Sequence, residues 1–166
     1  MFEQVLVDVG SASPTTVPEV VEGPDLLGFA GLTPVRVPAL PVTLHVAEKV
    51  HAYTRRYGLQ DAPSSRPKDL VDLVLLAAHE PFSARSLRAA LDETFLARAT
   101  HALPSSLPPP PAEWARPYTD LARQVSIAPE LADGYEKART FLDPILCAAA
   151  SADEPWDAAG PRWVPS

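Results

Sequence analysis

The chain of 166 residues has one cysteine, no long apolar run and a deficit of basic residues. Each shortage removes a class of protein. A single cysteine, Cys147, excludes an internal disulfide and any cysteine-built zinc site. It stands in the apolar run LCAAA and is expected to be a buried small hydrophobe. No apolar stretch approaches the roughly 20 residues that a membrane helix needs. The N-terminus has neither a basic segment nor a long apolar core, so no signal peptide is visible and the cytoplasm is the default compartment. Lys and Arg number 14 against 21 Asp and Glu, for a net charge of −7. That balance argues against coating nucleic acid, which takes a basic surface, though it leaves room for a local basic groove. No G-x-S-x-G, P-loop or dinucleotide fingerprint occurs. His45, His51, His79 and His101 are scattered and form no H-x-x-x-H or H-E-x-x-H pair, which argues against zinc.

What is present is a globular composition, 46% hydrophobic and 21% charged, with 20 prolines gathered in connectors. The length allows one domain with a core, or a small domain with an appendage. The densest set of ionisable residues lies in 44–76. Lys49, Tyr53 and Arg56 stand at i, i+4 and i+7 and share one helix face, beside apolar Val46, Ala47 and Val50. A connector with Gly, Pro and Ser follows over 58–65. Ser65 is expected to cap a second helix, with Pro67 in its first turn. Asp69 and Asp72 share a face at i, i+3, and Leu70, Leu73, Val74, Leu76 and Ala77 form the apolar body.

Around this pair the chain reads simply. Residues 2–9 alternate and are rich in Val, a strand pattern. Asp8 within it either caps the turn at 10–13 or faces a polar crevice. Residues 11–31 read as a connector with solvated Glu19, Glu22 and Asp25, and 34–40 as a short edge strand limited by its prolines. Ser83 is expected to cap a helix running to about Thr100. Residues 103–111, LPSSLPPPP, read as a rigid spacer. Helices follow over about 111–124, delayed or kinked by Pro117, and about 129–149, weakened by Gly134 and bent by Pro144. The tail, 151–166, shows no period and is expected to be irregular and docked by Trp156 or Trp163.

The segments AEKVHAYTRRYG and SSRPKDLVDLVLL resemble the later motifs of the AbiEii/AbiGii-type nucleotidyltransferase toxins, a family that includes the MenT-type toxins. The family pattern is an A-x-K-h-x-A-h-x-x-R helix and then R-x-K-D-h-h-D-h. It is met here by Ala47, Lys49, Ala52, Tyr53 and Arg56, then Arg66, Lys68, Asp69 and Asp72. The resemblance covers 2–76 well and is general, as a helical tail, over 81–150. It implies an α+β fold: remnant strands of a nucleotidyltransferase sheet in 1–42, a helical domain in 43–150 and the tail beyond. It implies a nucleoside triphosphate as substrate, Mg²⁺ as cofactor, tRNA as an acceptor in some relatives and an antitoxin as partner. Lys49 and Asp69 would be catalytic, Tyr53 would stack on a base, Arg56, Arg66 and Lys68 would contact nucleotide, and Asp8 would be the strand carboxylate beside the metal.

By residue type alone, Lys49, Asp69 and Asp72 make an ion-pair seam between two helices. The linked motifs turn Lys49 and Asp69 towards function and leave Asp72 in the seam. The expected geometry brings Lys49 and Asp69 together, with Asp8 facing the same crevice and Arg66 at its rim. Gly10 and Ser11 imitate the start of the family's Gly-Ser…Asp-x-Asp motif, but no Asp-x-Asp follows and Glu19 with Glu22 has the wrong spacing. The chain is therefore expected to be a fragment, a partial gene product or a degenerate member, with little transferase activity of its own. The competing expectation is a non-catalytic helical module that binds a partner protein such as an antitoxin.

Overall fold

The computed structural model describes residues 17–58, 62 and 64–165. The strand expected over 2–9, with Asp8, and the Gly10-Ser11 turn lie outside them. The fold is α+β. It divides into two compact units, the first ending at Pro41 and the second running from Val42.

In the first unit, β1 (Glu19–Glu22) pairs antiparallel with β2 (Arg36–Ala39), with Glu19 opposite Ala39 and Glu22 opposite Arg36. β1 falls where a connector was expected. Its Val-Val centre has strand propensity, and the pairing with β2 supplies the ladder that the sequence could not reveal. Pro38 sits in β2, as an edge strand allows.

Among its described residues the second unit holds five α-helices: α1 (Val42–Thr54), α2 (Pro67–His79), α3 (Ala84–Arg98), α4 (Ala115–Gln124) and α5 (Leu131–Leu146). α1 packs on α2 and α3, and α2 packs on α4 and α5. α2 is central because its apolar residues recur all along one side. Leu70, Val71, Leu73, Val74 and Ala77 are all buried. Each such Leu or Val contributes on the order of 1.5–3 kcal/mol by leaving water. Pro67 takes the first helical position, where its missing N–H costs nothing. The cap residue is Arg66 and no side chain bonds the first turn, so Ser65 does not cap α2 as expected. Ser83 does cap α3: its Oγ accepts from Ser86 N–H at 3.2 Å. A 3-10 turn (Ala112–Trp114) leads into α4, with Pro117 in the first turn. Pro144 lies in the last turn of α5.

Two segments depart from expectation. The proline-rich stretch is a packed strap, not a spacer. Leu107 is 2% exposed. Prolines leave few local hydrogen bonds, so distant side chains supply them. Leu107 N–H donates to Asp143 Oδ1 at 2.7 Å, Tyr135 donates to Leu107 O at 2.9 Å, and Tyr53 donates to Pro108 O at 2.8 Å. The tail is ordered, not irregular. β3 (Trp156–Asp157) and β4 (Arg162–Trp163) pair antiparallel. Both tryptophans are buried against Phe141, Trp163 stacked on it at 5.8 Å and Trp156 edge-on at 4.9 Å. Their indole N–H groups bond Ala77 O and Phe141 O at 2.7 and 2.8 Å. Cys147, expected inside, is exposed just past the end of α5. Its run is apolar, but the helix ends before it can be carried into the core.

Candidate functional site

α1 buries Val46, Ala47, Val50 and Tyr53, and the same periodicity sets Lys49 beside them, facing α2. α2 presents Asp69 and Asp72 one turn apart on the matching face. Lys49 Nζ lies 3.3 Å from Asp69 Oδ1 and 2.6 Å from Asp72 Oδ2. Arg66 Nε lies 3.1 Å from Asp69 Oδ2. That contact is an ion pair without hydrogen-bond alignment, since Oδ2 has no such partner among the described residues. Asp69 is fully buried, whereas the side chain of Arg66 is 57% exposed. A carboxylate out of water must be paired, and Asp69 has a cation beside each oxygen.

The structure thus brings Lys49, Asp69, Asp72 and Arg66 together, with Arg66 at the rim. Lys68, next to Asp69 in sequence, is exposed. Arg56 lies two residues past α1, also exposed. It lines a small cleft of about 60 Å³ with Tyr53, Thr54, Arg55, Ser64, Trp114 and the strap prolines. Ser64 in that cleft is buried, and its hydroxyl has no partner among the described residues. Tyr53 is 5% exposed, lies T-shaped to the Trp114 ring at 5.4 Å and is tied to the strap. Burial pushes its phenol pKa up. At 5% exposure it offers no open ring face for the base stacking expected of it. Asp8 lies outside the described residues.

The fit of Mg²⁺ can be judged on the donors described. Mg²⁺ takes carboxylate oxygens and water. Among the described residues no group of three or more His, Cys, Asp or Glu is placed to hold a metal. Asp69 and Asp72 are both turned to Lys49. With both carboxylates engaged by Lys49 and Asp69 also by Arg66, these residues do not by themselves supply the donor set that the cation takes.

Sequence reasoning missed a second polar cluster, on the α3 side of α1. His51 Nε2 lies 2.7 Å from Thr100 Oγ1, and Thr100 Oγ1 lies 3.0 Å from His101 Nδ1. His101 Nε2 lies 2.8 Å from Thr54 Oγ1, which donates to Val50 O at 2.8 Å. With the Thr54 proton on Val50 O, His101 Nε2 is the donor to Thr54. His101 Nδ1 then accepts from Thr100, and His51 Nε2 donates to Thr100. With Nδ1 accepting, the His101 ring is neutral in this chain of bonds. Burial lowers both pKa values, and the neighbouring His101 lowers that of His51 further. The signal available was His51 and Thr54 at i, i+3; their partners lie more than 40 residues away.

Among the described residues no helix is long and apolar enough to cross a membrane. No curated protein matches the chain. The family model described as "Nucleotidyl transferase AbiEii toxin, Type IV TA system" matches residues 2–153.

Proposed function

The chain belongs to the AbiEii family of nucleotidyl transferase toxins of type IV toxin–antitoxin systems, and from that premise we propose that Lys49 and Asp69 form the phosphate-handling part of a site that takes a nucleoside triphosphate. The observation that carries this reading is the contact of Lys49 with the fully buried Asp69 across two helices. Nucleotidyl transfer asks the protein mainly for positioning and for charge that meets the phosphates. Lys49 would serve as a point charge on the triphosphate. Asp69 would hold Lys49 in place or accept the proton of an acceptor hydroxyl. Arg66, Lys68 and Arg56 would meet phosphate from the exposed side. Tyr53 moves in this reading from base stacking to fixing the strap behind the cleft.

Nucleotidyltransferases in general use a divalent metal. Mg²⁺ is the ion proposed, with Asp8 assigned to it by resemblance alone. tRNA as acceptor and an antitoxin as partner are proposals on the same footing. The test is direct binding of ATP by calorimetry in wild type and Lys49→Ala, with circular dichroism to verify folding. Loss of roughly tenfold or more in affinity is expected, the scale of one charge-assisted contact. Equal affinity in a folded Lys49→Ala would refute the reading.

A second reading, a non-catalytic module that binds a partner protein, is favoured by one observation. In the first unit Phe29 is 90% exposed and Leu26, Val35 and Leu32 are more than half exposed. If Phe29→Ser abolishes a cellular phenotype that Lys49→Ala and Asp69→Ala leave intact, binding replaces catalysis.

A further inference from the structure

Four side chains alternate in sign across the α1–α2 seam, and their exposures are unequal. Arg66 meets Asp69, Asp69 meets Lys49, and Lys49 meets Asp72. The shorter contact of Lys49, 2.6 Å against 3.3 Å, goes to Asp72, whose side chain is 21% exposed, and not to Asp69, whose side chain is 0% exposed. The two carboxylates therefore stand differently towards losing Lys49. Asp69 has no water to turn to, so a cation must stay beside it in every state. Asp72 reaches solvent and can be hydrated once released. An anion arriving from solvent finds Lys49, itself 16% exposed, already engaged on its open side by Asp72.

We propose that Asp72 is a positioning residue that occupies the phosphate place on Lys49 in the ligand-free protein and gives it up when a polyphosphate binds. The proposal rests on the Lys49 reading above. A carboxylate and a phosphate are both oxyanions and compete for the same ammonium protons at the same distance. They also repel each other when both are close. Asp72 thereby keeps Lys49 pointed at the entrance while the site is empty, and makes binding weaker than Lys49 alone would give. Asp69 plays the opposite part, since it is never released.

The consequence runs against the usual effect of removing one partner of an ion pair. Neutralising Asp72 should tighten anion binding while loosening the helix pair. The experiment is calorimetric titration of the whole chain with sodium tripolyphosphate, in chelator and at low salt, for wild type, Asp72→Asn and Lys49→Ala. Melting temperatures are recorded for each. Asp72→Asn is expected to bind roughly tenfold tighter than wild type, on the scale of one charge-assisted contact. Its melting temperature is expected to be unchanged or lower. Unchanged or weaker binding in a folded Asp72→Asn, with binding still lost in Lys49→Ala, overturns the proposal and leaves the phosphate reading in place. Wild-type binding in Lys49→Ala overturns both together. A second measurement needs no variant. In carbon-13 NMR of the wild type, tripolyphosphate should move the Asp72 carboxyl resonance and leave that of Asp69 in place. Equal movement of both, or of Asp69 alone, overturns the displacement.

Discussion

Gly134→Ala is the substitution at which two rules give opposite signs. Gly134 lies in the first turns of α5, and a glycine in a helix costs about 1 kcal/mol relative to alanine. Propensity alone therefore makes Gly134→Ala stabilising. The packing says otherwise. A β-carbon at this position would overlap the hydroxyl oxygen and the ring carbon that bears it in Tyr118 on α4, and would crowd a second ring carbon. Tyr118 is 0% exposed, so its ring has no open direction in which to move. Overpacking of this kind costs about 1–3 kcal/mol, and a rigid ring as the obstacle places the cost high in that range. The net is a loss of about 1–2 kcal/mol. At about 2–4 °C per kcal/mol for a chain of this size, the melting temperature should fall by roughly 2–8 °C. Thermal denaturation followed at 222 nm reads this directly. Tyr118→Phe should not rescue the variant, because a ring carbon is among the overlapping atoms. On a Tyr118→Leu background the same Gly134→Ala change should become neutral or stabilising, a coupling that a double-mutant cycle isolates. A higher melting temperature for Gly134→Ala alone would refute the argument.

Stability should depend on pH through His51 and His101. Burial lowers both below the usual 6.5, so the unfolded chain binds more protons than the folded one between 6.5 and the lowered values. Unfolding free energy should be level above about pH 7 and fall as the pH drops through 6.5; the double variant His51→Gln/His101→Gln should show less slope in melts from pH 8 to 5. Trp156→Phe removes the donor to Ala77 O, one of the carbonyls that the last turn of α2 leaves without a helical partner. A cost of about 1–3 kcal/mol in urea denaturation is expected, and no change would show that water replaces the bond. Cys147 should react with Ellman's reagent in the native protein at the rate of an open thiol, whereas protection until unfolding would contradict its exposed position.

The parts of the fold that are written locally were legible in the sequence. The meeting of Lys49 and Asp69 is what the family resemblance implies; helical periodicity predicts α1, α2, α3, α4 and α5, and Ser83 predicts a cap. These features depend on neighbours within one or two turns. What was not legible depends on partners far along the chain. The strap reads as a spacer because its prolines have no period; its docking comes from Tyr53, Tyr135 and Asp143. The Trp156–Trp163 hairpin needs Phe141 to explain it. Asp72 looked like one half of a structural seam, and only the 2.6 Å contact with its unequal exposure gives it a separate character. Asp8 remains an expectation from resemblance.

The tail hairpin has a consequence for the order in which the protein is made. Synthesis runs from the N-terminus at about 5–20 residues per second, so Trp163 leaves the ribosome roughly 1–3 s after the last residue of α5. During that interval the five helices have been synthesised, but Phe141 lacks the indoles that cover it, and the Ala77 carbonyl has no donor. A nascent chain halted in this window would display an aromatic face suited to chaperones. Lys49 and Asp69, by contrast, are both synthesised before the middle of the chain, so their pairing can form long before the unit that carries them is closed.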